Sequence, residues 1–199
     1  MPTLIFATHN PHKLQEVRSL LPVSIRVLSL QDVDYRDPIP EPYDSLEENS
    51  RIKALTIYEA LQQDCFAEDS GLEVQALQGA PGARSARFAG ENVSDAEHIA
   101  LLLARMAGIS HREAQFRTVI TLIWKGKLFQ VQGICKGYIT ATPRGREGFG
   151  YDPIFIPEGS QQTFAEMHLD EKNQFSHRAK AIRALYELIN RLSAESSIS

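Results

Sequence analysis

The apolar residues at positions 3–7 (TLIFA) run without a break. A strand with one wet face alternates, so this run predicts a strand buried on both faces. Asn10 then caps a helix whose first residue, Pro11, needs no N–H partner there. Leu14, Val17, Leu20 and Leu21 give that helix one apolar stripe. A second strand is expected over 25–29. Ser45 and Glu48 form a capping box that opens a helix to about Gln63, with Ile52, Leu55 and Leu61 on its buried side. Cys65, Phe66 and Ala67 read as a short strand ending at Glu68 and Asp69. A second box, Ser94 and Glu97, starts a helix through Met106. Residues 118–124 and 128–139 read as a hairpin turning near Gly126, and 153–156 as a short strand. A helix from about Arg178 to Leu192 follows, with Ile182, Leu185 and Leu188 inward. Strands and helices alternate early and strands pair locally later, which predicts an α/β fold with a mixed sheet.

No internal repeat, low-complexity block or flexible linker divides the chain. The proline cluster at 38–42 is short and reads as a rigid loop. One domain over 1–199 is expected, with a small polar tail at 193–199 that frays. The chain has 199 residues, 43% hydrophobic and 23% charged, with a formal net charge of -4. That balance lacks the basic footprint of a general nucleic-acid binder. No stretch approaches the roughly 18 apolar residues that span a bilayer, and no secretory signal pattern opens the chain. Cys65 and Cys135 both sit in apolar runs, which favours buried thiols in a reducing compartment over a disulfide. A cytoplasmic protein with no membrane partner is expected.

Five places could carry chemistry. The turn Thr8-His9-Asn10-Pro11-His12-Lys13 sits where a strand meets a helix N-terminus, a natural seat for an anion. It equally fits an ordinary cap with a solvated lysine. Glu68 and Asp69 follow a strand, where α/β ligand crevices form, yet Asp-Ser-Gly is also good turn chemistry. Adjacent strand residues point to opposite faces, so the two carboxylates need not share a role. Gly148-Phe149-Gly150-Tyr151-Asp152-Pro153 brackets an aromatic ring with glycines, which suits either a stacked base or a plain turn. Lys172, then Ser176-His177-Arg178, puts cations at a helix start, where the dipole opposes them unless an anion compensates. Lys53 lies four residues after Asn49, on one helix face. Together the chain offers cations for a polyphosphate, carboxylates for Mg²⁺ and a ring for a base. No Walker or Rossmann glycine loop is present.

Six segments in order, T-x-N-x-x-K (8–13), E-N-x-x-x-K (48–53), E-D-S-G-L (68–72), G-A-P-G-x-x-S-A-R (79–87), G-F-G-Y-D-P-I-F (148–155) and S-H-R (176–178), carry a likeness that spans nearly the whole chain. The sequence resembles the inosine/xanthosine triphosphate pyrophosphatase family. The resemblance implies an elongated α/β fold with two lobes, an active-site cleft between them, and a homodimer. It implies hydrolysis of ITP, dITP and XTP to the monophosphate and pyrophosphate with Mg²⁺. Asp69 matches the family's proton acceptor and a metal carboxylate; Glu41 matches a second metal carboxylate. Thr8, His9, Asn10 and Lys13 match the phosphate turn, Lys53 a further phosphate-side cation and Ser70 a substrate contact. Phe149, Gly150, Tyr151 and Asp152 match the nucleotide-binding segment, and Lys172, His177 and Arg178 the base-side contacts. Two other classes stay open: a pyrophosphatase for other modified nucleotides, and a non-catalytic nucleotide binder.

Overall fold

A computed structural model describes residues 2–196, leaving out the side chain of Ser196. Strand β1 (Thr3–Phe6) leads into α1 (Pro11–Leu20), β2 (Arg26–Leu28) and α2 (Leu46–Leu61). Strand β3 (Cys65–Val74) precedes α3 (Asp95–Arg105) and the hairpin of β4 (Glu113–Trp124) and β5 (Lys127–Ile139). A short β6 (Phe155–Pro157), α4 (Leu169–Phe175) and α5 (His177–Ser196) complete it. All six strands form one sheet in the order β2-β1-β3-β4-β5-β6. β1 pairs parallel with β2 and β3, and the remaining neighbours are antiparallel. The sheet is mixed, as the alternation of elements predicts.

The unbroken apolar run of β1 has a direct cause. Leu4 and Phe6 pack with Val17 of α1 and Ile182 and Leu185 of α5, while Ile5 packs with Ala54 and Ile57 of α2. Helices therefore cover both faces of the strand. A third apolar cluster joins Leu72 and Val74 of β3 to Leu102 of α3, Phe116 of β4 and Phe155 and Phe164. The hairpin turns at Lys125 and Gly126, both at positive φ (49° and 74°), as a two-residue type I′ turn requires. Both cysteines are free and buried.

Four expectations change. β3 does not stop at Ala67; it continues through Glu68, Asp69 and Ser70 to Val74, paired with β4 throughout. The polar letters E-D-S-G hid a strand whose side chains find charged partners instead of water. β4 begins at Glu113 rather than 118, because it extends to meet that longer β3. Helix α4, seven residues around Lys172, is too short and polar to leave a periodic signal. α5 stays helical through Ser196, so residues 193–196 of the expected frayed tail are helix; 197–199 lie outside the described residues.

Candidate active site

The site begins where β1 ends. Asn10 caps α1, its Oδ1 accepting the N–H groups of His12 (2.9 Å) and Lys13 (3.2 Å). Pro11 has no N–H, so the cap consumes the donors that an open helix start would aim at an anion. The attraction for an anion here therefore rests on the Lys13 ammonium and on side chains. Thr8 Oγ1 accepts the Asn10 N–H at 3.1 Å, and the His9 ring bonds the Asp37 carbonyl at 3.0 Å.

Strand β3 then separates the two carboxylates by its pleat. Glu68 shares a face with Phe66 and meets α1 and α5; Asp69 shares a face with Ala67 and meets α2. Asp69, 5% exposed, accepts Lys53 Nζ at 3.0 Å and Asn49 Nδ2 at 3.2 Å. The i, i+4 spacing of Asn49 and Lys53 on α2 produces that double grip. Burial raises the Asp69 carboxyl above its ordinary pKa against the pull of Lys53 and Lys13. Lys53 Nζ also lies 2.7 Å from Glu41 Oε1, so the ammonium sits between two carboxylates.

The opposite end is a chain of buried charges. Arg178 holds Glu68 through Nε (2.8 Å to Oε2) and Nη2 (2.9 Å to Oε1), and Glu16 through Nη1. Lys172 Nζ bonds Glu16 and Asp152, each at 2.7 Å. Lys13 Nζ closes the chain on Glu68 at 3.2 Å. These anions answer the objection to cations at the start of α5, which Ser176 caps by accepting the Ala179 N–H. Burial works to raise the Glu68 pKa, but Arg178 and Lys13 outweigh it and hold the carboxyl far below its usual range. His177 stacks on Phe116 with centroids 4.6 Å apart. Burial, with Arg178 and Lys172 adding to it, drives the His177 pKa well below the ordinary value and keeps the ring neutral at pH 7.

The glycine segment forms the remaining wall. Asp152 Oδ2 accepts the Phe149 N–H at 3.0 Å, and Asp95 Oδ2 accepts the Gly150 N–H at 2.6 Å. Gly148 is required: a Cβ there would lie 2.0 Å from Asp152 Oδ2, at φ +77°. Tyr151 donates its hydroxyl to the Ser85 carbonyl at 3.0 Å, and Ser70 pairs with Thr118 at 2.7 Å.

One cavity of about 380 Å³ is lined by Thr8, His9, Asn10 and Lys13, by Glu41, Lys53, Asp69 and Ser70, and by 149–152, Lys172, His177 and Arg178. Every residue to which the family resemblance gives a role lines it, whereas Glu68, the other carboxylate of the pair, does not and is held by Arg178 and Lys13. Glu16, Asn49, Ser85, Asp95, His98 and Phe116 complete the surroundings and were not singled out as site residues. Glu16 had a readable signal, since it stands three residues after Lys13 on one face of α1. His98 and Phe116 are brought in by tertiary packing and left no local trace. Among the described residues no three His, Cys, Asp or Glu side chains gather as a metal cage. The pair Glu41 and Asp69, converging on one ammonium, suits a Mg²⁺ ion, which takes one or two carboxylates together with phosphate oxygens.

The Ham1 family is matched over residues 4–188. The dITP/XTP pyrophosphatase of Christiangramia forsetii is 46% identical over 188 residues, covering 94% of this chain and 99% of that protein. The dITP/XTP pyrophosphatase of Bacillus subtilis is 40% identical, covering 95% and 98%. The solved Ham1 protein of Coxiella burnetii superimposes with a TM-score of 0.87 at 36% identity, covering 96% of this chain and 100% of the other. The Staphylococcus aureus Ham1 protein gives 0.86 at 34% identity, covering 94% and 98%. The family match spans residues 4–188, and both the relatives and the solved structures cover nearly the whole chain: the chain belongs to the Ham1 family.

Proposed function

We propose that this chain hydrolyses dITP, ITP and XTP to the nucleoside monophosphate and pyrophosphate. The carrying observation is the cavity itself, which sets the Lys13–Lys53–Asp69 group and the Lys172–His177–Arg178 group along one wall-to-wall space. The relatives named dITP/XTP pyrophosphatase support the substrate class.

In this reading a water attacks the α-phosphorus and Asp69 takes its proton. The raised pKa brings the carboxylate closer to a useful general base, and Asn49 and Lys53 hold its two oxygens in place. Lys13 exchanges Glu68, and Lys53 exchanges Glu41, for phosphate oxygens of the leaving pyrophosphate, while Lys53 keeps its bond to Asp69. Glu41 and Asp69 are the residues that would hold Mg²⁺, which when bound neutralises charge on the phosphate oxygens. Thr8, His9, Asn10 and Ser70 complete the phosphate-side wall.

Base choice follows from the donors still free. A guanidinium has five N–H groups; four are engaged by Glu68, Glu16 and Ser70. One N–H of Arg178 and one of Lys172 are left to donate. A 6-carbonyl accepts them, whereas the 6-amino group of adenine meets them donor to donor, a mismatch worth roughly 10⁴–10⁵ in rejection. Phe149 supplies a stacking face, and Gly150, Tyr151 and Asp152 hold its segment.

One two-lobed domain, a homodimer and a cytoplasmic location belong to the same proposal, with no nucleic-acid or membrane partner. The single six-stranded sheet supports the first, and no helix among the described residues is long and apolar enough to cross a membrane. Light scattering of the purified protein checks the dimer. The activity is tested by pyrophosphate release from ITP, XTP, dUTP, dTTP and GTP with and without Mg²⁺. Mg²⁺-dependent release from ITP and XTP is expected. Faster release from the pyrimidines would move the substrate class, and tight ITP binding without release would make the chain a binder.

A further inference from the structure

Phe149, beside Lys172, borders two neighbouring spaces. It lines the main cavity and also a second chamber of about 280 Å³. His12 lines that smaller chamber and not the main cavity. The two rings stack, with centroids 5.3 Å apart and planes 21° from parallel. That spacing falls within the favourable range for offset aromatic pairs.

Both partners are anchored by backbone. The glycines flanking Phe149 sit at φ +77° and +60°. Asp152 and Asp95 accept the N–H groups of Phe149 and Gly150. These bonds fix the main chain and leave the angle of the ring to whatever touches it. Its cationic neighbours, Lys172 Nζ at 5.2 Å and Arg178 Cζ at 5.6 Å, are already committed to carboxylates. His12 is held at the second position of α1 by its own N–H on Asn10 Oδ1. Its side chain is otherwise exposed and is used by no step of the proposed chemistry.

We propose that His12 is a positioning residue for the nucleobase: from the smaller chamber it braces the Phe149 ring, so that the ring offers a fixed face to the main cavity. The inference rests on the reading that Phe149 carries a purine. It ties the phosphate turn to the base wall, because one helical turn holds Asn10, His12 and Lys13 together. The brace is a ring and not a charge, so any flat aromatic side chain at position 12 does the same work.

The test compares His12→Ala, His12→Asn and His12→Phe in the full chain. Steady-state turnover of ITP is measured beside calorimetric binding of inosine monophosphate and of pyrophosphate. The cap uses the backbone N–H of residue 12, so all three variants keep α1, which thermal melts verify. His12→Ala and His12→Asn are expected to raise KM for ITP and weaken the monophosphate roughly 2- to 12-fold, the range of one aromatic pair, with kcat held within about twofold. Pyrophosphate affinity is expected to stay unchanged, and His12→Phe to restore KM. Unchanged KM in His12→Ala, failure of His12→Phe to rescue, or an equal loss of pyrophosphate binding overturns the brace. Failure of the underlying reading looks different: the unsubstituted chain would then neither turn over ITP nor bind inosine monophosphate.

Discussion

Arg178 grips Glu68 through two nitrogens, Nε at 2.8 Å from Oε2 and Nη2 at 2.9 Å from Oε1, with both side chains almost wholly buried. The pair joins the first turn of α5 to the middle of β3. Removing one partner strands the other as a buried charge. Glu68→Ala is expected to cost about 3–5 kcal/mol, the usual penalty for breaking a buried pair. Urea unfolding measures it; a loss below about 1 kcal/mol would show that Glu16 alone satisfies the guanidinium.

Asp69 lies on the other face of the same strand and has no such role in packing α5. Asp69→Asn keeps one acceptor oxygen, which serves Lys53, gives up the bond from Asn49, whose amide still bonds the Tyr43 backbone, and is expected to fold. Loss of a positioned base costs about 10²–10⁴-fold in rate. Near-normal kcat for ITP in this variant would remove Asp69 from the mechanism.

The Lys53 ammonium, 3.0 Å from Asp69 Oδ1, favours the charged form of a carboxyl whose pKa burial already raises. Taking that charge away pushes the pKa higher still, so a higher pH is needed to ionise the base. In Lys53→Met the acid limb of the kcat/KM profile is expected to move to higher pH. A limb that stays put, or moves down, contradicts Asp69 as the titrating base.

His177 is buried neutral, its pKa held well below 6.5. The unfolded chain takes up a proton below about pH 6.5 that the folded chain refuses, so folding stability falls as pH drops through that value. The slope from this one group is about 1.4 kcal/mol per pH unit, ending at the folded pKa. His177→Gln is expected to lose that slope between about pH 6.5 and pH 5.5. Denaturant midpoints for both proteins at the two pH values give the difference directly.

Gly133 sets how close α5 comes to the sheet. A Cβ there would lie 2.1 Å from the His177 carbonyl oxygen and 2.4 Å from the Ala181 nitrogen, both backbone atoms with no rotamer to yield. Gly133→Ala therefore displaces the helix start that carries His177 and Arg178. A stability loss of about 1–3 kcal/mol is expected, as for other overpacked sites, with KM for ITP raised more than the melting temperature would suggest. A variant with normal KM would show that the helix start tolerates the shift.

Local chemistry made much of this protein readable. Asn10 with Pro11, and Ser94 with Glu97, mark helix starts because their bonds close within one turn. Leu4 to Phe6 reads as doubly buried because two helices leave no wet face. The hairpin at Gly126 is legible because the turn and both strands are neighbours in sequence. The E-D-S-G stretch is the opposite case. Its residues suit a turn, and only pairing with β4, some fifty residues on, makes them strand.

By itself, the sequence determined most of the elements and the mixed sheet, and its likeness to a family supplied many of the side chains gathered at one cavity. The tertiary structure decided how those side chains divide their charge. Glu68 and Asp69 are adjacent in the chain, yet the pleat sends one to Arg178 and Lys13 and the other to Lys53 and Asn49. Glu16 reaches Arg178 and Lys172, each more than 150 residues away. Charge pairing acts over a few ångströms in space and leaves no period in sequence. That is why many residues of the site were legible before the fold was known, while their partnerships, and neighbours such as His98 and Phe116, were not.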